Sequence, residues 1–422
     1  MKKLTPLIII HILLAPVIKI YPIIGSIHAI TIASLAVYYM LTDRSFEKGL
    51  LLMGYILGSE LLWRGFGANV FWEFGKISIL ILLIIILFRL GYDQFKLNTG
   101  ILFIAFLLPS IFIMNDYSDF THALLGPIVI GLSVLIFFQI KLNKLLLKKI
   151  LFSILLPIIT IFTITFWDTF NSGTFNFTSA YIYRVETGGV GPNQMSNILG
   201  LGAFISFLLY RINNTHRSSI IFLIIFILTI TQTILTHSRG GFWNASLAII
   251  VFYYYEIGYQ KNKLKYLGSI VILLSFLNFG LFPLLDSLSG GSIVDRFTDA
   301  SLSSREEIIN TEISIFNKYP VFGIGPGQSR KYRLEYFGNY KHSHTEYTRL
   351  LAEHGLFGFF ALLTLVYIIF QVYTKKGGLE KSISLAIIVW GVLFMFHSAT
   401  RLVAPCFLIG FASAQFQLKE EI

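Results

Sequence analysis

Charge is scarce in this sequence, and so is cysteine. Asp, Glu, Lys and Arg make up only 13% of the 422 residues, against about a quarter in a typical soluble domain. With a mean hydropathy of +0.73, that shortage excludes an ordinary soluble fold. The single cysteine, Cys406, falls in an apolar run, which leaves no disulfide framework and no cysteine-based metal site. Repeats of solenoid length are missing as well. What the chain has instead is hydrophobic sequence, in runs long enough to cross ~30 Å of hydrocarbon from one end to the other. Fourteen candidate spans centre near residues 12, 32, 55, 81, 106, 131, 158, 202, 228, 248, 273, 359, 388 and 408. The first two and the last two are short or closely spaced. The expected fold is therefore all-α: one integral membrane domain over residues 1–422, a polytopic bundle of about 12–14 transmembrane helices. The opening "MKKLTPLIIIHILLAPVIKI" has the charged start and apolar stretch of a signal peptide. It has no small-x-small cleavage site and a second span follows closely, so it is expected to be a retained first helix.

The net charge of +11 suggests nucleic acid only until the basic residues are placed. With the N-terminus inside, the alternate connections (Lys141–Lys149, Lys261–Lys265 and Lys375–Lys381 among them) carry 19 of the 33 Lys plus Arg, and the short loops opposite carry 6. The other 8 sit in or just beyond one long segment, residues 285–344. That bias is the positive-inside rule, from which long loops are exempt. Basicity here sets orientation: both termini cytoplasmic, Arg239 and residues 285–344 outside, the bilayer as partner and no nucleic acid.

Three external segments are more than turns. They are residues 167–194, the short "THSRGG" at 236–241, and the long external loop 285–344. Within the last, "SREEIINTEISIFNKYP" spaces Ile308, Ile309, Glu312, Ile313 and Phe316 as one face of a short amphipathic helix. Ser303 or Ser304 is placed to cap it, and Pro320 ends it. Arg239 stands at the junction of two spans, followed by two glycines that admit a ligand close to the backbone. A helix-end arginine that merely snorkels is the plainer reading. Arg305 opens the loop helix, either to pair with Glu306 or Glu307 or to join free backbone N–H groups in an anion site. "PVFGIGPGQ", 320–328, reads as a tight turn returning the chain to the membrane, and "GGVGPNQMSN", 188–197, as a turn into a helix with Asn193 near its start. Then "YKHSHTEYTRLLAEHGLFG", 340–358, gathers titratable groups at the mouth of an apolar helix. Glu346, Arg349 and Glu353 fall three and four apart, a stripe of potential ion pairs. His342 and His344 lie just outside the helix, suited to proton exchange near neutral pH. A metal site is the competing reading. The two histidines are two apart rather than four and no third ligand stands out, so none is expected.

These motifs, in this order, resemble the O-antigen ligase/polymerase superfamily of bacterial membrane glycan transferases. The resemblance rests on Arg184 followed by Gly188 or Gly189, Pro192 and Asn193; on Ser238, Arg239 and Gly240; on Arg305 with Pro320, Gly323, Gly325 and Gly327; and on His344 with Glu353, Gly355 and Gly358, preceded by His342. Thr345 stands where the family often has Asn. The family-like core spans 185–397, and the N-terminal spans match only in kind. The resemblance implies a glycan carried on a polyprenyl diphosphate, transferred with inversion to an acceptor hydroxyl on the outer face of the inner membrane. It implies Arg239 and Arg305, supported by Arg184, on the diphosphate in place of a metal or other cofactor, and His344 as base, with Asn193, His342 and Glu353 at the substrate. The acceptor is lipid A core for a ligase and a second lipid-linked repeat for a polymerase. A polysaccharide flippase, the alternative of another class, would carry its charges mid-membrane along a path.

Overall fold

The computed structural model describes residues 4–90, 98–114, 120–171, 190–213, 216–257, 305–337 and 343–418, with isolated positions between 268 and 287. Among the described residues there are fifteen α-helices and one pair of three-residue strands. In chain order the helices are α1 (Leu4–Ile20), α2 (Pro22–Thr42), α3 (Glu47–Gly65), α4 (Phe74–Arg89), α5 (Thr99–Leu107), α6 (Phe120–Phe137), α7 (Lys144–Asn171), α8 (Pro192–Ile212), α9 (His216–Leu235) and α10 (Arg239–Ile257). Then follow α11 (Arg305–Lys318), α12 (Ser329–Phe337), α13 (Glu346–Lys375), α14 (Gly378–Ser398) and α15 (Val403–Phe411). The protein is an all-α polytopic bundle. Thirteen of the fourteen expected span centres fall on a helix, and the one near 273 lies outside the described residues. Among the described residues, six helices are long and apolar enough to cross a membrane: α2, α7, α8, α9, α13 and α14. Three stretches of ten to seventeen residues, Leu4–Ile20, Thr99–Ile113 and Thr121–Phe137, are apolar but shorter.

Local chemistry explains where these helices start. Asn98 caps α5 by accepting from Gly100 N at 2.9 Å, and Thr345 caps α13 with its hydroxyl on Tyr347 N. Pro22 and Pro192 occupy first-turn positions of α2 and α8, where the missing N–H costs nothing. Pro16, Pro127 and Pro157 lie inside α1, α6 and α7, tolerated where neighbouring helices cover the freed carbonyl.

Close packing uses small residues. A Cβ on Gly241 would come within 1.9 Å of Ser196 O, and one on Gly200 within 2.4 Å of Gly241 O. Helices α8 and α10 therefore cross at backbone contact, the small-residue interface of membrane bundles. The freedom of Gly241, expected above to admit a ligand, is used by a helix crossing. At Gly240 the nearest side chains, Asn197 and His397, stay at 3.4 Å or more.

The connections sort into two ends. Strand β1 (Lys141–Asn143) pairs in parallel with β2 (Gln415–Gln417), and Lys376 Nζ donates to Ser384 Oγ and to the Ala412 and Ala414 carbonyls. These three segments share one end of the bundle. The connection after α3, the first turns of α6 and α8, helix α12, Ser343 ahead of α13 and the connection after α14 meet at the other, around a cavity.

Candidate active site

The cavity, about 360 Å³, is walled by Trp72, Glu73, Lys76, His122, Gln194, Ser329, Arg330, Arg333, Ser343, Glu346, Arg349, Glu353 and Arg401, with Ala123, Gly327, Ala399 and Thr400 between them. Five of these are basic and three acidic, so the wall carries a formal charge of +2 with histidine neutral.

The stripe on α13 forms as its spacing predicts. Arg349 donates to Glu353 Oε2 at 2.9 Å, to the Glu346 carboxylate, and to Ala123 O at 2.9 Å. Glu346 also accepts from Thr400 N and Oγ1 at 3.2 Å, which ties α13 to the α14–α15 connection. All three charged side chains are nearly inaccessible. Burial is tolerable because each charge is paired and hydrogen-bonded.

The glycine turn does more than reverse the chain. Helix α13 breaks at Gly355, whose φ is 61° and ψ −136°. Into that break the turn docks backbone to backbone: Ile324 N donates to Ala352 O at 3.1 Å, Gly325 N to Glu353 O at 3.0 Å, and Leu356 N to Pro320 O at 2.7 Å. Gly323, with φ at 70°, faces the same break, where a Cβ would lie 2.4 Å from the Glu353 carbonyl carbon. The unsatisfied carbonyls of the kinked helix are thereby paired. Glu353 is fixed at the kink and accepts from Ser329 Oγ at 2.5 Å.

The loop helix forms over Arg305–Lys318, but its buried face is turned from the expected one. Ile308, Thr311, Glu312 and Ile315 are buried, whereas Ile313 is 41% exposed. Polar pairing is the reason. Glu312 accepts from Arg333 Nη1 at 2.6 Å and from Thr348 Oγ1 at 2.6 Å. Burial raises its carboxyl to about 7, against the pull of Arg333. Burial likewise lowers the Arg333 guanidinium. Arg333 also donates to Ser329 Oγ, so hydrogen bonds run unbroken from α11 through α12 to α13.

The opposite wall comes from parts of the chain that carried no candidate. Buried Arg64 donates through Nε to Trp72 O at 2.7 Å, through Nη1 to Arg401 O at 2.7 Å, and through Nη2 to Glu60 at 2.7 Å and Glu73 at 3.2 Å. Glu60 Oε2 accepts from Val403 N at 2.6 Å, and Lys76 Nζ sits 2.8 Å from Glu73. Burial raises the Glu73 carboxyl, but Lys76 and Arg64 outweigh it and hold Glu73 below the usual carboxylate range. Its Oε1 pairs with His122 Nδ1 at 2.9 Å. The sequence signals for this wall were the spacings of Glu60 with Arg64 and of Glu73 with Lys76, four and three apart, next to a connection assigned to the outer side.

Of the candidate residues, Glu353 lies in the cavity wall. Asn193 precedes the wall residue Gln194 and accepts from Ser238 Oγ at 2.8 Å, which brings the Arg239 junction alongside. Ser196 Oγ then bonds Ser238 O at 2.7 Å. His344 follows the wall residue Ser343 and is half-buried; neither it nor Arg239 lines the cavity. Arg305 opens α11, its side chain outside the described residues, and Arg184 and His342 lie outside them altogether. Among the described residues, no three His, Cys, Asp or Glu side chains gather as a metal site would require.

Residues 221–363, which supply α11, α12 and three of the four arginines in the cavity wall, match the family model described as O-antigen ligase. The chain carries an O-antigen ligase domain. The match covers about a third of the chain and supports the O-antigen ligase/polymerase superfamily, whose work is glycan transfer at a membrane. No curated protein matches the sequence. The O-antigen ligase domain contributes the turn, the kinked start of α13 and the loop helices, and the remaining wall comes from both flanks of the match.

Proposed function

We propose that the protein transfers a glycan from a polyprenyl-diphosphate donor to an acceptor hydroxyl on the outer face of the bacterial inner membrane, inverting the anomeric centre and using no divalent metal. The cavity carries this reading: one basic chamber at the end of the bundle. As the glycosidic bond breaks, charge develops on the leaving diphosphate, and arginine forks positioned beforehand stabilise it. Arg239, Arg305 and Arg184 are the sequence's candidates for that role, and Arg330 in the wall joins them. His344 accepts the proton from the attacking hydroxyl, with Asn193, His342 and Glu353 at the substrate. Glu353, already bound by Ser329 and Arg349, acts by holding the kink. Attack comes from the face opposite the diphosphate.

The ion pairs favour an enzyme over a flippase. Lys19–Asp168, Arg64–Glu60, Arg211–Glu256 and Lys376–Glu380 sit near helix ends rather than along a mid-membrane path, and Arg333–Glu312 joins the two short helices α11 and α12. Lipid A core and a second lipid-linked repeat both remain acceptors of the right chemistry. Geranylgeranyl diphosphate titrated into the detergent-solubilised protein tests the donor site. Binding is expected in the wild type and weakened at least tenfold by Arg330→Ala; equal affinity in the two would remove Arg330 from the site.

A further inference from the structure

The cavity has two kinds of wall, and they come from different parts of the chain. Arg330, Arg333 and Arg349 belong to the O-antigen ligase domain, whereas Trp72, Glu73 and His122 lie outside the matched 221–363. We propose that Trp72, Glu73 and His122 form a pyranose-binding subsite that sets which sugar this enzyme accepts. The inference rests on the glycan-transfer reading above and deepens it.

The chemistry of a sugar ring fits this corner. A pyranose offers one apolar C–H face and a rim of hydroxyls. Trp72 is 50% exposed at the cavity, a broad aromatic platform for such a face. Its place is fixed from behind: the Arg64 guanidinium stands 4.9 Å from the ring centroid while its Nε bonds the Trp72 carbonyl. Beside it, Glu73 and His122 present planar polar groups. Glu73 is 7% exposed and held by Arg64, Lys76 and His122. The side chain of His122 is 54% exposed, with Nδ1 on the Glu73 carboxylate. A carboxylate that accepts from Nδ1–H leaves Nε2 as the acceptor of the neutral ring. The corner thus offers a ring platform beside a hydrogen-bond acceptor held at a fixed angle.

Preorganisation strengthens the case. Glu60, Arg64 and Lys76 have 3% or less of their side chains exposed. Four buried charges maintained beneath one exposed Trp and one exposed His build a rigid floor. Polar groups placed for specific hydroxyls reject a sugar that lacks them, because their own bonds are then left unmade. Division of labour follows. The domain common to the family handles the diphosphate that all its donors share, and the flanking wall reads the sugar, which differs.

The test uses the full chain in detergent with two probes, a panel of methyl hexopyranosides for the subsite and geranylgeranyl diphosphate for the donor site. At least one pyranoside should bind the wild type, and Trp72→Ala and His122→Gln should each weaken it fivefold or more. Trp72→Phe should keep most of the affinity, and all three should bind the prenyl diphosphate within twofold of wild type. Both positions are exposed, so these variants should fold; matched thermal stability checks that. No pyranoside binding up to 100 mM, or unchanged affinity in Trp72→Ala, overturns the subsite. Loss of prenyl diphosphate affinity in the same variants also overturns it. Pyranoside binding that is lost in Trp72→Ala, with no prenyl diphosphate binding by the wild type, upholds the subsite and refutes the donor reading instead. In turnover with lipid-linked glycan, a raised KM for acceptor assigns the ring to the receiving glycan, and a raised KM for donor assigns it to the transferred one.

Discussion

Replacing Gly355 by alanine should dismantle the joint on which the site is built. The substitution acts twice. At φ 61° and ψ −136° an alanine occupies a region close to glycine's alone, a strain of roughly 1–3 kcal/mol. Its Cβ would also lie 2.5 Å from Pro320 O and 2.6 Å from Gly323 N, and both are backbone atoms that the docked turn cannot withdraw. Overpacking of that kind costs about 1–3 kcal/mol more. Together they remove roughly 2–6 kcal/mol from a fold whose stability is of order 5–15 kcal/mol. The local effect should exceed the global one, because Gly325 N–Glu353 O and Leu356 N–Pro320 O are the bonds that break first. Thermal unfolding in detergent should show Tm lowered by roughly 5–10 °C, scaled from the ~2 °C per kcal/mol of a large chain. Transfer should fall further than stability, since Glu353 and Ser329 lose their register. Gly323→Ala, which meets the same joint from the turn, should behave alike. A Gly355→Ala protein with Tm within 1 °C of wild type and full turnover would refute the backbone joint.

Arg349→Met leaves Glu346 and Glu353 buried without their shared partner, which should cost about 3–5 kcal/mol; near-normal yield and Tm would show that the triad is not needed. Glu312 gives a pH signature. Its folded pKa, about 7, lies above the usual 4.5, so the folded state binds the extra proton and stability falls as pH rises between them. The full difference is on the order of 3 kcal/mol. Glu312→Gln should be nearly neutral at pH 5 and should flatten the decline in Tm towards pH 8; a parent whose Tm rises over that interval contradicts the sign. Arg239→Ala and Arg305→Ala should abolish most transfer with lysine a poor substitute, because a point charge lacks the planar fork; full activity in both lysine variants would reduce the role to simple charge. His344→Ala should lose transfer yet still bind donor, whereas loss of donor binding would argue against a base.

Much of the bundle was legible because hydropathy reports on single residues in sequence. Thirteen helices at the expected centres and the α13 stripe needed nothing more. The loop helix shows where that signal fails. Ile313 and Glu312 were expected on one face, but Arg333 and Thr348 arrive from elsewhere in the chain, reward burial of the carboxylate and leave Ile313 turned outward. Pairing partners distant in sequence leave no periodic trace. The Glu60–Arg64–Glu73–Lys76 floor is local in sequence, with Glu60 and Arg64 four apart and Glu73 and Lys76 three apart. Its ties to Arg401 and Val403, 337 and 343 positions away, are what place it at the cavity. The glycine turn was recognised as a turn, but nothing local showed that its target was the kink at Gly355.

The most direct test is a single reconstituted reaction: purified protein, polyprenyl-diphosphate-linked glycan, and each acceptor in turn, lipid A core or a second lipid-linked repeat, with EDTA present. Glycan should move to one of the two acceptors with inverted anomeric configuration, one polyprenyl diphosphate released per transfer, and a rate that EDTA leaves unchanged. Intact donor with both acceptors, or activity that EDTA abolishes and magnesium or manganese restores, would contradict the account.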